Sequence, residues 1–280
     1  MSLFNKLLIA ATVLGLLLPE PGIASAGFAI VPLSISTFFS LIASRQKVKL
    51  ETGGLKTGAI YSYFFLTGAM LLASFFMPSG IREGLVMYAI FPPAIAVLVL
   101  SREWGGNAPQ VFAFQLAAYS LSIVLVPAAA FLLLGGSVDT TALLVQLVLA
   151  FVVPGAVSFF IDVKNKERAA DLSGIFLAIL FYIMIAKSQP WIIANWATLL
   201  TYLVPLAALN VAVGYAAYRL TKDPDATLYA LLKNGGAAAA VSLGVLAPAA
   251  IAVLSAKTLV DVGLILGFGR LWRKKETPGG

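Results

Sequence analysis

Lys233 and the three residues that follow it, Asn234, Gly235 and Gly236, form the stretch of this sequence with the clearest potential for chemistry. Lys233 is the only charged residue in the apolar run from Leu228 to Ser255. A charged lysine at the centre of a membrane helix costs about 2.5–3.5 kcal/mol on insertion scales, so this side chain should face the protein interior or a cavity. The alternative is that its aliphatic stem returns the ammonium group to the membrane surface. Each glycine costs a helix about 1 kcal/mol relative to alanine, so we expect an interrupted helix beside the lysine.

A matching interruption is predicted half a chain earlier, at Pro92 and Pro93. Two consecutive prolines remove two backbone donors and disfavour helix at the residues before them. Residues 88–94 align with residues 229–235 at an offset of 141, about half of the 280-residue chain. Interrupted segments at corresponding places in two halves are typical of the binding site of inverted-repeat transporters. For either position alone, a proline kink or a close glycine packing seam is the alternative.

Side chains near these two stretches are the candidate lining groups of a site: Tyr88, Tyr229, Gln115 and Tyr119. Histidine and cysteine are absent, which excludes the commonest zinc ligands and thiol nucleophiles. The acidic residues fall in loops or at the ends of apolar segments, apart from Asp261. We expect Asp261 to pair with Lys257, four residues earlier, near the outer end of its helix. Without a buried carboxylate pair, we predict neither a metal site nor enzymatic activity.

The elements that carry these residues are predicted to be membrane-spanning helices. The chain is 60% hydrophobic and 11% charged, with a mean hydropathy of +0.97, far outside the range of soluble domains. Apolar stretches long enough for a hydrocarbon core of about 30 Å recur along its whole length. We predict ten such spans, approximately at residues 3–19, 23–43, 57–77, 81–100, 108–134, 141–161, 172–187, 191–218, 227–247 and 249–270.

The positive charges fall mainly on one side of the predicted membrane. With the amino terminus in the cytoplasm, fifteen of the 19 Lys and Arg residues are cytoplasmic, and Arg82, Lys187 and Lys257 lie outside. This bias predicts a multi-pass protein of the inner or plasma membrane with both termini in the cytoplasm. It also explains the net charge of +7 without nucleic acid as a partner, so the lipid bilayer is the partner that composition implies. An alternative for residues 1–26 is a signal peptide that ends in a small-residue cleavage site.

The predicted fold is an all-α membrane protein of ten transmembrane helices arranged as two inverted five-helix repeats. Five spans in each half make the second half begin on the opposite side of the membrane from the first, which inverts the repeats. The first repeat covers residues 1–135 and the second covers residues 136–280. The discontinuous spans four and nine are expected to cross each other.

Two long stretches resemble the bile acid:sodium symporter family. FPPAIAVLVLSREWGGNAPQVFAFQ, which begins at residue 91, and the following IVLVPAAAFLLLGG resemble its fourth and fifth spans. ALNVAVGYAAYRLTKDPDATLYALLKNGGAAAAVSLGVLAPA, which begins at residue 208, resembles its eighth and ninth spans. The resemblance implies a carrier with a panel domain of spans one, two, six and seven and a core domain of spans three to five and eight to ten. It also implies transport of organic anions with sodium bound at the crossing.

The chain departs from the family pattern where sodium is expected to bind. Instead of Glu-x-x-x-Gln-Asn it has Tyr229-x-x-x-Lys233-Asn234, and Val97 and Leu98 stand where a Ser-Asn pair supplies oxygen ligands. Because sodium needs several oxygen ligands and an ammonium group would repel it, we predict that sodium coupling is lost. Lys233 then provides either a fixed positive charge at the cation site or a group that loads and releases a proton.

The sequence therefore predicts a secondary active transporter that moves a small organic anion by alternating access. Pro92-Pro93 and Asn234-Gly235-Gly236 shape its site, and it needs no cofactor, although coupling to sodium or to a proton stays open. The alternatives are a sodium-dependent bile-acid-type symporter, an auxin-efflux-like carrier and, outside transport, a membrane scaffold subunit. Substrate identity, transport direction and oligomeric state are left open.

Overall fold

The computed structural model describes residues 3–18, 26–44, 52–161 and 163–273 of the chain. Within these residues the regular structure is helical and contains no strand. The helices are α1 (Leu3–Leu17), α2 (Ala26–Ser44), α3 (Gly53–Ser74), α4 (Ser79–Ile90), α5 (Ala96–Glu103), α6 (Ala108–Leu134), α7 (Thr140–Phe160), α8 (Lys166–Ala194), α9 (Trp196–Thr221), α10 (Pro224–Leu231), α11 (Gly235–Ser242) and α12 (Pro248–Arg273). Helices α3 and α7 contain π-helical stretches at Ala59–Thr67 and Val148–Val152.

Six of the described helices are long and apolar enough to cross a membrane: α3, α6, α7, α8, α9 and the Pro248–Ile265 part of α12. Lys6–Leu17 in α1 and Phe28–Ala43 in α2 are shorter apolar stretches. Several large hydrophobic side chains on the long helices face outward, among them Leu132, Phe159 and Phe160. Outward-facing apolar surface of this kind fits a lipid environment, since soluble proteins keep such surface in small patches. The chain is an all-helical membrane protein.

Several helices begin at a polar side chain that accepts a hydrogen bond from the first turn. Asn107 accepts from the amide of Gln110 at 3.2 Å, and Asn165 accepts from the amide of Arg168 at 2.9 Å. Asp139 accepts from two amides of the first turn of α7. These caps satisfy amides that have no partner inside the helix. The polar loop residues of the sequence thus set where the apolar helices start.

The helices pack in two groups. Helices α1 and α2 both pack along α8, and α2 also packs against α7. In the other group, α12 packs on α4, α10 packs on α9 and α3, and α6 packs on α3, α4 and α5. The hydroxyl of Ser36 on α2 donates to the carbonyl of Ser173 on α8 at 3.0 Å, which is an interhelical bond of the kind that joins membrane helices. The groups meet where α6 contacts α7 and α8 contacts α12.

Two of the apolar segments are interrupted, one between α4 and α5 and one between α10 and α11. Phe91 precedes Pro92 and adopts an extended conformation with a ψ of 153°, as expected for a residue before proline. Leu232 is likewise extended, with φ −124° and ψ 123°. The helix breaks predicted at these two places are therefore present in the structure.

The second interruption lies earlier than the glycines that were expected to cause it. The break covers Leu232, Lys233 and Asn234, whereas Gly235 and Gly236 form the first turn of α11. A Cβ atom on Gly235 would lie 2.5 Å from the hydroxyl oxygen of Thr258 on α12. The glycine is therefore needed for close approach of two helices, and the helix restarts because Asn234 caps it.

The predicted boundary between spans seven and eight, at residues 187–191, is also wrong, because α8 continues through it to Ala194. Pro190 lies inside this helix, and the chain turns at Asn195 instead. The side-chain amide of Asn195 donates to the carbonyl of Trp191 at 3.0 Å, which gives a carbonyl of the last turn a partner. Ser188, which lies between the two predicted spans, is buried against α12.

Candidate functional site at the helix breaks

The two interruptions contact each other through a backbone hydrogen bond. The amide of Asn234 donates to the carbonyl of Pro92 at 3.0 Å. The amide of Gly235 donates to the carbonyl of Lys233 at 2.9 Å, which makes a tight turn between the two half-helices α10 and α11. Unwound backbone at membrane depth needs protein partners for its polar groups, and here each interruption supplies one to the other.

Two side chains of α6 bind the remaining carbonyl groups of the first interruption. The hydroxyl of Tyr119 donates to the carbonyl of Pro93 at 2.8 Å and accepts from the side-chain amide of Asn234 at 2.6 Å. The side-chain amide of Gln115 donates to the carbonyl of Ala94 at 2.8 Å. Gln115 and Tyr119, which the sequence suggested as lining groups, therefore also hold the broken backbone in place.

Asn234 has three roles at the second interruption. Its backbone amide binds Pro92, its side-chain amide binds Tyr119, and its side-chain oxygen accepts from the amide of Ala237 at 3.0 Å. The last bond is a helix cap for α11, which is typical of asparagine at this position. A single side chain thus starts the second half-helix and joins it to α6.

Lys233 is buried, with 2% of its surface exposed, so its side chain faces the protein interior as predicted. Its Nζ atom lies 4.2 Å from the centre of the Tyr63 ring and has no hydrogen-bond partner among the described residues. An ammonium group over an aromatic face is stabilised by the ring's electron density. The rings continue from Tyr63 to Phe114 at 6.3 Å and from Phe114 to Tyr229 at 4.8 Å, so the ring against the lysine belongs to an aromatic cluster.

Tyr229 and Tyr88 are both fully buried, and neither lines a large cavity. The hydroxyl of Tyr229 has no partner among the described groups. The hydroxyl of Tyr88 donates to the carboxylate of Asp261 at 2.7 Å and accepts from Lys257 at 3.1 Å. Tyr88 therefore belongs to a polar network rather than to a solute surface.

Sequence reasoning missed this network, which lies in the interior between α4, α9 and α12. Lys257 and Asp261 form the predicted ion pair, and Asn210 donates to Asp261 at 3.4 Å and to the carbonyl of Leu231 at 3.0 Å. Lys257 was counted among the charges outside the membrane, and its side chain is completely buried in the protein. Buried carboxylate and ammonium groups are tolerated when each has a partner of opposite charge.

The signal for this network was present in the sequence but was assigned to a helix end. Lys257 and Asp261 stand within an apolar segment, where charged residues are costly and face the interior by default. Asn210 offered a further sign, since it is the single strongly polar residue near the middle of α9. Nothing in the sequence indicated that Tyr88 would complete the group.

A cavity with a volume of about 540 Å³ lies between α2, α6 and α7. Drug-sized ligands commonly occupy cavities of roughly 300–1,000 Å³. Gln115 and Tyr119 are the predicted site residues that line it, whereas Lys233 and the two proline and glycine pairs do not. Its lining consists of Thr37, Ser40, Leu41, Ile95, Leu98, Phe112, Gln115, Leu116, Tyr119, Ser120, Ile123, Phe151, Val152, Gly155, Ala156, Phe159 and Phe160.

The polar contacts that fix α10 lie at its first turn. Asp225 accepts from the hydroxyl of Ser101 at 2.5 Å and from the amide of Asn107 at 2.7 Å. A Cβ atom on Gly106 would come within 2.1 Å of the Asp225 carboxylate, so only glycine fits there. These contacts tie the end of the first interrupted segment to the start of the second.

Positions that would hold sodium in the family that the sequence resembles are apolar or basic in this structure. Val97 and Leu98 are buried hydrophobic residues, and they offer no side-chain oxygen. The described residues contain no cluster of three or more acidic, histidine or cysteine side chains. The chemistry near Lys233 is therefore that of an aromatic environment around an amine.

These features define a class of protein, a helical membrane protein whose two interrupted helices meet in its interior. No protein-family model matches the chain, and no curated protein matches it. The resemblance to the bile acid:sodium symporter family stays a prediction that rests on the sequence stretches quoted above.

Proposed function

We propose that this protein is a secondary active carrier for a small organic solute, which works by alternating access and uses Lys233 in place of a bound sodium ion. The observation that carries the proposal is the hydrogen bond between Asn234 and Pro92, which joins the two interrupted segments. In carriers with internal repeats, paired interruptions of this kind form the binding site near the middle of the membrane.

The proposal includes the full ten-span architecture. Each of the ten predicted spans corresponds to one helix or one interrupted pair of helices, and the interruptions fall in the fourth and ninth. The carrier would consist of two inverted repeats, residues 1–135 and 136–280, in the inner or plasma membrane with both termini in the cytoplasm. The packing of α1 and α2 on α8, and of α2 on α7, supports their grouping as a panel domain against a core formed by the other helices.

Lys233 supports the part of the proposal that concerns sodium. Helices α4 and α10 both end at the interruptions, so the partly negative ends of two helix dipoles converge there. A positive charge next to these ends is favourable, and the Lys233 ammonium group provides it without an ion from solution. Because Lys233 does not line the large cavity, its charge acts on the interruptions rather than directly on a solute.

The solute site in this proposal is the cavity between α2, α6 and α7. Its wall combines the panel and core groups of helices, so a relative motion of the two groups would change its shape. Most of its residues come from the last turns of α2 and α7 and the first turns of α6, at the ends that the charge distribution places on the cytoplasmic side. The cavity thus corresponds to an inward-facing arrangement. The organic anion of the sequence analysis stays a prediction.

The experiment restores the sodium-binding pattern of the family. Purified wild-type protein and the double variant Tyr229→Glu with Lys233→Gln are heated in sodium, potassium or choline chloride of equal ionic strength. We expect the wild type to unfold at the same temperature in all three salts, because the ammonium group occupies the cation position. We expect only the double variant to gain stability in sodium, since the new carboxylate and amide provide oxygen ligands.

A sodium-specific rise in the unfolding temperature of the wild type would overturn the role of Lys233 and favour a sodium-dependent symporter. A membrane scaffold subunit predicts that Lys233→Met leaves both stability and solute binding unchanged. An auxin-efflux-like carrier predicts sodium-independent uptake of aromatic acids into proteoliposomes. Lys233→Gln also distinguishes the two roles of Lys233, a fixed charge or a group that carries a proton. Loss of uptake driven by a pH gradient in this variant indicates that Lys233 carries the proton.

A further inference from the structure

We infer that the cavity between α2, α6 and α7 takes an uncharged, largely apolar solute that presents a hydroxyl or amide N–H group to Gln115. The inference rests on the proposed carrier function, since it treats this cavity as the solute site. It departs from the organic anion that the sequence predicted. Its basis is the set of hydrogen-bonding groups in the cavity lining that have no partner.

Charge is the first property of the lining that bears on the solute. None of the described residues that line the cavity is charged, and most of them are aliphatic or aromatic. An ionised carboxylate that leaves water needs a counter-charge or several donors, because its desolvation is otherwise very costly. Lys233 does not line the cavity, and its amine lies against the Tyr63 ring. A buried anion would therefore find no positive partner in this cavity.

Three hydrogens of the polar lining groups are committed to backbone carbonyl groups. The hydroxyl of Thr37 donates to the carbonyl of Leu33 at 2.9 Å, and that of Tyr119 donates to Pro93 at 2.8 Å. One amide hydrogen of Gln115 is used by Ala94. What these side chains can still offer a solute is mainly oxygen lone pairs, which accept hydrogen bonds. A carboxylate, which only accepts, is poorly matched to these three side chains.

Gln115 gives the position of the required donor. The side chain is 6% exposed, and its Oε1 atom has no hydrogen-bond partner. The orientation of the amide follows from its neighbour, because exchanging oxygen and nitrogen would place two oxygens face to face at Ala94. A buried carbonyl oxygen without a donor costs free energy, so a solute that supplies an O–H or N–H group gains a bond that the protein lacks. A hydroxyl also suits the second amide hydrogen of Gln115, since it accepts as well as donates.

The test compares three probes with the same apolar body: para-phenylphenol, its methyl ether and para-phenylbenzoate. Binding is measured on purified protein in lipid nanodiscs, with empty nanodiscs to subtract partition into lipid. We expect the phenol to bind about three- to tenfold more tightly than the ether, the gain of one neutral hydrogen bond, and the benzoate to bind more weakly than either.

Two variants locate the preference. Gln115→Met removes the free oxygen at similar volume, and we expect it to bind the phenol and the ether equally. Gln146→Met is the matched control, because the Oε1 atom of Gln146 is also buried without a partner but does not line the cavity. We expect Gln146→Met to keep the preference of the wild type. If Gln115→Met does not fold, the order of the three probes on the wild type still decides.

Three outcomes would overturn the inference: tightest binding of the benzoate, equal binding of phenol and ether to the wild type, or no binding of any probe. A phenol preference that persists in Gln115→Met would overturn the role of Gln115. Failure of the carrier proposal has a separate readout, because the sodium experiment on Tyr229 and Lys233 uses none of these probes.

Discussion

Removal of Lys257 should destabilise the protein more than removal of both members of its ion pair. In Lys257→Met, Asp261 keeps the neutral donors Tyr88 and Asn210 but loses the one counter-charge that the described residues give it in this buried site. Breaking a buried pair by removing one partner costs about 3–5 kcal/mol. We convert this loss of unfolding free energy with the ratio of temperature shift to free energy that holds for domains of 150–250 residues. The unfolding temperature then falls on the order of 10 °C.

The double variant Lys257→Met with Asp261→Leu removes both charges and keeps the volume apolar. Replacing a buried pair by hydrophobic residues is often close to neutral. The remaining cost is the hydroxyl of Tyr88, which loses its acceptor and should contribute about 1–3 kcal/mol of destabilisation. We therefore expect the double variant to unfold at a higher temperature than Lys257→Met.

The assay is thermal unfolding of detergent-purified protein, followed by circular dichroism and by tryptophan fluorescence. Lys164→Met serves as the control, because Lys164 is an exposed lysine in the turn before α8. The reasoning fails if Lys257→Met unfolds within 2 °C or so of this control, a difference worth less than about 1 kcal/mol. It also fails if the double variant is the less stable of the two.

Three further predictions concern the helix breaks and use the same unfolding measurement. Asn234→Ala should lower the free energy of unfolding more than Asn165→Ala. Both variants remove a helix cap worth about 0.5–2 kcal/mol, but only Asn234 also binds Tyr119. Equal losses in the two variants would contradict the role of Asn234 in joining α11 to α6. Gly235→Ala should destabilise the protein by about 1–3 kcal/mol, because the new methyl group meets Thr258. Gly136→Ala should not, because Gly136 has open space around it. The double variant Gly235→Ala with Thr258→Ala should recover part of the lost stability. Tyr119→Phe should destabilise by about 1–3 kcal/mol, because it leaves the Pro93 carbonyl without a donor; an unchanged midpoint would mean that water replaces the hydroxyl.

The broad fold could be predicted from the sequence because its signals are local. Apolar stretches of membrane length predicted the long helices, and Pro92-Pro93 predicted the first interruption, since proline acts on its own backbone and on the residue before it. The second interruption was placed close to the right position for a partly wrong reason. Asn234 caps α11, whereas Gly235 serves the approach of α11 to α12, and only the folded structure shows that neighbour.

The arrangement of the site depended on contacts that no local pattern contains. Tyr88 was expected to line a path, but it binds Asp261 on a helix more than 170 positions later in the chain. The burial of Lys257 could not be predicted, because a charge near a helix end and a charge in a buried pair look the same in one sequence. Gln115 and Tyr119 were singled out for polarity alone, and their bonds to the carbonyls of the first interruption could not be read from spacing.

The hydroxyl of Tyr119 lies both on the wall of the cavity and between the two interruptions. A solute that pushed this ring aside would weaken two hydrogen bonds at once, and a change in the interruptions would in turn reshape the surface that the solute meets. Coupling between solute binding and the conformation of the breaks is reciprocal. If a bound solute stabilises one arrangement of the breaks, that arrangement binds the solute more tightly by the same free energy. A spectroscopic label that senses Tyr119 would therefore report on loading of the cavity and on the state of the breaks with a single signal.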